Sequence, residues 1–179
     1  MKSMIAAAFF ALALATPAAA EVKARAADGF AIEHVAEIAA PPAEVYRALG
    51  RIGRWWESSH TYSGAAANMT MPLRVGACFC ERWDGSEIEH GRVILAWRNQ
   101  ALRLDAPLGP LQEQAVSSIL NFAIAEAPGG SRLTVTMRVN GSSLSGLEAF
   151  AAPVDGVIGT QVQRLERFVE TGSPDAPAR

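Results

Sequence analysis

The sequence predicts an α+β domain in which a curved antiparallel sheet wraps around a long C-terminal helix. Segments of alternating apolar and polar residues follow one another from residue 30 to residue 140, separated by turn signals such as Asp84-Gly85. Such alternation is typical of strands with one buried face. Apolar residues then recur every three or four positions up to Val169, which indicates an amphipathic helix. This helix is the one long element available to cover the apolar face of the sheet.

The composition is that of a globular protein rather than a disordered or fibrous one. Of the 179 residues, 50% are hydrophobic and 19% are charged, and this length fits one domain. The formal net charge is −2. Without a basic excess, neither nucleic acid nor an anionic membrane surface is expected as a partner.

Residues 1–20 have the features of a secretory signal peptide. Lys2 gives a positive start, an apolar run extends from Met4 to Ala15, and Ala18-Ala19-Ala20 forms an A-x-A cleavage site before Glu21. The run is shorter than the roughly 20 residues that a membrane-spanning helix needs. We therefore expect cleavage between Ala20 and Glu21, a secreted or periplasmic protein, and no membrane span in the mature chain.

The first half of the mature chain contains one strand and two short helices. Residues 21–28 form a polar lead-in, and Phe30 to Ile38 alternates as a strand does. Proline suits the first turn of a helix, so we expect a helix from Pro42 to Gly50. A second short helix carries Trp55-Trp56.

Five further strands are expected, joined by short turns into an antiparallel meander. They cover residues 77–83, 88–98, 101–106, 114–125 and 132–140. The final helix follows from Leu147 to Val169, and Pro153 either kinks it or begins its main part. The domain therefore covers residues 29–171, and residues 172–179 form a flexible tail.

Several local patterns resemble one superfamily. Residues 38–46 read Ile-Ala-Ala-Pro-Pro-Ala-Glu-Val-Tyr, an aromatic pair follows at Trp55-Trp56, Gly91-Arg92-Val93 begins the fourth strand, and Gly156 to Gly159 lies in the last helix. These patterns resemble the START-type superfamily, which has the helix-grip fold, and within it the SRPBCC or polyketide-cyclase-like proteins. The resemblance covers about residues 29–171. It implies an elongated apolar cavity between the sheet and the C-terminal helix.

The resemblance makes the inward-facing apolar and aromatic residues the candidate ligand site. Such residues also fill an ordinary core, so both interpretations stay open. The candidates are Trp55, Trp56, Tyr62, Phe79, Trp83, Val93, Leu95, Trp97, Leu102, Leu104, Phe122 and Met137.

Candidate catalytic residues are few. His60 and Tyr62 follow the tryptophan pair in a loop expected at the cavity mouth, and a histidine titrates near neutral pH. Arg92 is expected on the outer face, and it reaches a ligand carboxylate only if the strand register slips by one residue. His34 and His90 are expected to be satisfied or solvent-facing. The sequence has no nucleophile elbow, phosphate loop or paired metal carboxylates, so no cofactor or metal is expected.

Cys78 and Cys80 are expected to remain separate thiols. In a regular strand their Cα atoms would lie about 6.5–7 Å apart, whereas a disulfide prefers about 5.5–6 Å. A strained bridge is the alternative in an oxidising compartment. A further alternative is copper(I) binding, in which Met69, Met71 and His60 supply additional ligands.

The function expected from these features is the binding of a small apolar or aromatic molecule by an exported protein. Cyclase or dehydratase chemistry in the same cavity, with His60, Tyr62 or Arg92 as acid or base, is the alternative. An interaction module without a ligand is the third. Binding is favoured because the sequence shows no activated nucleophile or convergent acid–base pair. The sequence identifies no protein partner.

Overall fold

The computed structural model describes residues 21–176, in which eight strands form one antiparallel sheet. The strands are β1 (Glu21–Ala26), β2 (Gly29–Ile38), β3 (Met69–Thr70), β4 (Cys78–Trp83), β5 (Ser86–Trp97), β6 (Ala101–Asp105), β7 (Ser117–Ala127) and β8 (Gly130–Asn140). The helices are α1 (Pro42–Leu49) and α2 (Glu148–Thr171). Short 3₁₀ helices lie at Ile52–Arg54, Ser58–His60, Ala66–Asn68, Gly109–Gln114 and Ser143–Ser145.

The α+β architecture expected from the sequence is confirmed. The strand order is β1-β2-β8-β7-β6-β5-β4-β3, and the curved sheet holds α2 against its concave face, as in a helix-grip fold. The segment expected to be a polar lead-in contains β1, an edge strand that the pattern missed because its side chains from Lys23 to Ala26 are exposed. The proposed signal peptide and the last three residues lie outside the described residues. Between residues 21 and 176, no helix is long and apolar enough to cross a membrane.

The first helix is fixed by its ends and by one buried face. Pro42 occupies the first turn, where its missing N–H costs no hydrogen bond. Val45 and Leu49 are fully buried against the core. The indole N–H of Trp55 donates to the carbonyl of Ala48 at 2.8 Å, and this carbonyl also accepts the backbone N–H of Arg51 at 2.9 Å. The bond from the indole holds the tryptophan pair beneath α1.

A close approach between β2 and α2 depends on Gly159. A Cβ at Gly159 would lie 2.8 Å from Cε1 of His34, so only glycine leaves room for this ring. His34 is buried, and its Nε2 lies 2.9 Å from Oδ1 of Asp155 on α2. The His34 side chain is therefore part of the interface between the sheet and the helix and does not face solvent. Its Nε2 and Oδ1 of Asp155 lie within ion-pair distance but form no hydrogen bond.

Two register shifts in β5 change which side chains face the core. His90 has no pairing partner between Glu89 and Gly91, and Ile94 has none between Val93 and Leu95. Each extra residue is a β-bulge, which reverses the alternation beyond it.

The expectation that Leu95 and Trp97 face the core is therefore wrong. Leu95 pairs with the exposed Arg103 and shares the outer face with it. Trp97 is 57% exposed. Gly91 and Val93 precede the second bulge and are buried as expected.

The expectation that Cys78 and Cys80 are separate thiols is also wrong, because their sulfur atoms form a disulfide. Their Cα atoms lie 5.3 Å apart, closer than two residues of a regular strand. The register shift of the paired strand β5 lies directly opposite Phe79 and Cys80. The distance falls within the range that disulfides adopt.

The copper(I) alternative loses most of its ligands in this arrangement. The disulfide removes both thiolates, and thiolate is the form that binds metal. The side chains of Met69 and Met71 are buried in the hydrophobic core.

Candidate functional site

A pocket of about 420 Å³ lies between the first half of α2 and the loops that face it. Its volume falls within the range of about 300–1,000 Å³ that small-molecule sites occupy. Its apolar lining consists of Trp56, Leu108, Pro110, Phe150, Pro153, Val154, Val157 and Ile158. Its polar lining consists of His60, Thr61, Tyr62, His90 and Glu113.

The remaining gap between the sheet and α2 is filled by side chains. Only about 10 Å³ is left beside Trp55, Phe122 and Leu165, against about 420 Å³ in the pocket. Trp55 and Trp56 occupy this space, with ring centroids 5.7 Å apart. The cavity expected along the whole gap is therefore confined to the end formed by the N-terminal half of α2.

A buried carboxylate forms a hydrogen-bonded centre behind the pocket. Glu81 on β4 has no exposed surface. Its Oε2 accepts from the backbone N–H of Tyr62 at 3.1 Å, and its Oε1 accepts from that of Ser63 at 2.5 Å. Nε2 of His90 lies 3.0 Å from Oε2. One side chain of the sheet thus holds the loop that carries Tyr62 at the pocket wall.

The hydrogen bonds around Glu81 determine its charge. Burial by itself raises the pKa of this carboxyl, but the bonds from Ser63, Tyr62 and His90 outweigh burial and hold the pKa below its usual range. Burial lowers the pKa of His90, and the neighbouring Glu81 only partly offsets this. The pair at neutral pH is therefore an ionised carboxylate and a neutral imidazole.

This charge state fixes the tautomer of His90. An ionised carboxylate only accepts hydrogen bonds. Nε2 of His90 therefore carries the hydrogen, and this N–H donates a hydrogen bond to Glu81. The lone pair is then on Nδ1. Because His90 also lines the pocket, its side chain connects the buried carboxylate to the ligand space.

A second set of hydrogen bonds ties the pocket rim to α2. The buried Gln161 accepts the backbone N–H of Glu57 at 2.8 Å through Oε1. Its Nε2 donates to Nδ1 of His60 at 2.9 Å. The indole of Trp56 donates to the carbonyl of His60 at 3.0 Å. These bonds fix the rings of His60 and Trp56 at the pocket.

The structure brings three of the candidate site residues to the pocket, namely Trp56, His60 and Tyr62. Phe79 lies one layer behind them, with its ring centroid 5.1 Å from that of His90. The candidates buried elsewhere in the core are Trp55, Val93, Leu102, Leu104, Phe122 and Met137. Trp83 is half-buried at the end of β4.

Arg92 lies on the outer face, as the expected register places it. Its side chain is half-exposed, pairs with Glu89 and donates to the carbonyl of Gly76 at 3.0 Å. It is therefore excluded from the pocket. Sequence reasoning selected neither Glu81 and His90 nor the pocket residues that α2 and the loop at residues 108–113 contribute.

The fold and pocket together define a helix-grip protein with a pocket at one end of the gap between sheet and helix. No family model matches the chain, and no curated protein does. Solved structures do. The Aha1 dimer from Colwellia psychrerythraea is 19% identical with a TM-score of 0.58, and the match covers 79% of this chain and 97% of that one.

Two further structures show the same fold. CalU16 from Micromonospora echinospora is 17% identical with a TM-score of 0.58, covering 91% of this chain and 88% of that one. A conserved protein of unknown function from Enterococcus faecalis is 14% identical with a TM-score of 0.59, covering 89% and 80%. At these identities the likeness establishes the helix-grip fold and not a function.

The Glu81–His90 pair predicts a loss of stability in acid that occurs in two stages. Below about pH 6.5 the unfolded chain protonates His90 while the folded chain does not, so the free energy of unfolding falls. Below about pH 4.5 the unfolded chain protonates Glu81 first, and the free energy of unfolding falls again. Urea unfolding from about pH 8 to about pH 3 measures both stages. The His90→Phe variant is expected to lose the stage below about pH 6.5. If its stability has the same pH profile as that of the native protein, His90 does not cause that stage.

Proposed function

We propose that this protein binds a small apolar or aromatic molecule in the pocket formed by α2 and the facing loops. The carrying observation is the pocket itself, which places Trp56, Val154 and Val157 around about 420 Å³ of space in an otherwise closely packed core. Such a surface binds ligands because the ligand removes apolar area from water. Export through a cleaved leader at residues 1–20 belongs to the same proposal and rests on the sequence pattern alone.

The test is thermal stabilisation by apolar probes such as naphthalene. A ligand present at about 100 times its Kd stabilises the fold by about 2.7 kcal/mol, because it binds only the folded state. For a chain of this size this raises the Tm by about 5–10 °C. Binding also quenches the fluorescence of Trp56 at the pocket wall.

A matched pair of variants locates the binding. Val157→Trp fills the pocket and abolishes the stabilisation, whereas Ala152→Trp adds the same ring to an exposed position on α2 and retains it. A response that survives Val157→Trp places the ligand elsewhere. A panel of fatty acids, sterols and aromatic polyketides that gives neither stabilisation nor quenching favours an interaction module without a ligand.

The Glu81–His90 pair supports a second candidate, cyclase-like or dehydratase-like chemistry in the same pocket. A neutral imidazole oriented by a carboxylate has the arrangement of a general base. In this candidate His90 removes a proton next to a ligand carbonyl and later returns it. Proton exchange of an aryl ketone such as 1-tetralone in deuterium oxide, followed by NMR, is then faster with the native protein than with His90→Phe. Equal rates exclude the candidate.

A further inference from the structure

The pocket has carboxyl groups nearby but no basic side chain of the arginine or lysine type. The side chain of Glu113 lines the pocket, and the ionised carboxylate of Glu81 lies one layer behind the wall, against His90. Among the described residues no arginine or lysine lines the pocket. The pocket is therefore mostly apolar, is lined by no arginine or lysine, and lies close to two carboxyl groups.

His90 provides a specific hydrogen-bond acceptor in this space. Its Nε2–H is donated to Glu81, so Nδ1 carries the free lone pair. Within residues 21–176, Nδ1 has no hydrogen-bond partner. The rings of Phe79 and Tyr62 lie against the imidazole, with centroids 5.1 Å and 5.9 Å away, and hold its orientation.

We propose that the pocket selects neutral apolar molecules that carry a hydroxyl group, such as phenols, and that this hydroxyl donates to Nδ1 of His90. The inference rests on the proposed binding function and specifies the ligand class for it. A hydroxyl supplies the donor that Nδ1 lacks, and the rest of the molecule contacts Trp56, Val154 and Val157.

The same geometry disfavours anionic ligands, including fatty acids. A carboxylate placed against His90 meets a lone pair rather than a proton. It also loses hydration in a pocket that has no arginine or lysine to pair with it, and it approaches Glu81 and Glu113. Protonating His90 would relieve the first conflict, but burial disfavours the charged imidazole.

Four probes that share the naphthalene ring test this preference for neutral hydroxyl-bearing ligands on the native protein near neutral pH. These are 2-naphthol, 2-methoxynaphthalene, naphthalene and 2-naphthoate, with affinities measured by calorimetry. We expect 2-naphthol to bind about two- to tenfold more tightly than naphthalene or the methyl ether, as one net hydrogen bond provides. The naphthoate binds at least about tenfold more weakly than 2-naphthol.

A variant assigns the preference to His90. His90→Phe keeps a ring at this position but removes the acceptor, so within this variant 2-naphthol binds no more tightly than the methyl ether. Equal affinities of the native protein for 2-naphthol and its methyl ether overturn the inference and leave the binding function standing. Binding of the naphthoate as tight as that of 2-naphthol overturns it as well. If no probe binds, the proposed function itself fails.

Discussion

Glu81→Leu lowers the free energy of unfolding by about 3–5 kcal/mol. The substitution removes the acceptor of three N–H donors, those of Tyr62, Ser63 and His90, in a place that water does not reach. Each buried donor left without a partner costs about 1–3 kcal/mol. The Leu side chain recovers part of this by burying apolar surface. Urea unfolding monitored by tryptophan fluorescence measures the difference.

Two further variants separate this effect from a general sensitivity of the hairpin. Glu87→Leu, on the adjacent strand, removes a half-exposed carboxylate paired with Arg82 and changes the stability by about 1 kcal/mol or less. Glu81→Gln keeps the shape and one acceptor oxygen, so its stability lies between those of the native protein and Glu81→Leu. Equal stability of the Glu81→Leu and Glu87→Leu variants contradicts the role assigned to the buried carboxylate.

The parts of the fold that the sequence predicted are those where one rule applies without interruption. In β8 the residues Leu133, Val135, Met137 and Val139 alternate with polar ones, and all four are buried. Regular alternation fixes the face of each side chain because the strand period is two. The start of α1 likewise follows from Pro42 and the helical spacing after it.

The prediction failed where the backbone departs from this period. A bulge adds one residue without a specific residue type to mark it, so the extra positions at His90 and Ile94 are not visible in the pattern. The outward position of Trp97 follows from the second bulge. The contraction that permits the disulfide between Cys78 and Cys80 accompanies the first.

Of the buried Glu81–His90 pair, only Glu81 could have been predicted from the sequence. Glu81 stands two residues after Phe79 on one strand, so an inward Phe79 already implies an inward carboxylate. A buried carboxylate needs partners, and this requirement would have selected it. His90 was not accessible, since the bulge that turns it inward depends on the pairing of β4 with β5. The long-range bond of Gln161 to His60 was equally hidden.

Leu165→Ala lowers the free energy of unfolding by about 2–5 kcal/mol. Leu165 is fully buried on α2 and faces Trp55, Leu120 and Val135 across a residual space of about 10 Å³. The substitution loses the transfer free energy of the removed methyl groups, and it leaves a cavity, because β-strands on one side and two indoles on the other collapse only partly. Leu144→Ala is the matched control, since Leu144 is 96% exposed, and it changes the stability by about 0.5 kcal/mol or less.

The cavity left by Leu165→Ala also has a direct signature. A void lined by Trp55, Phe122 and Val162 stays dry and admits a small apolar molecule, whereas the residual space in the native protein is too small for one. Benzene therefore binds folded Leu165→Ala more strongly than it binds the folded native protein, and it raises the Tm of the variant by more. The comparison is made in the Val157→Trp background, which closes the pocket near the N-terminal half of α2. If the free energy of unfolding of Leu165→Ala equals that of the native protein, α2 does not close the core as described. If the variant is destabilised but benzene gives no added stabilisation, the sheet and helix have collapsed into the space.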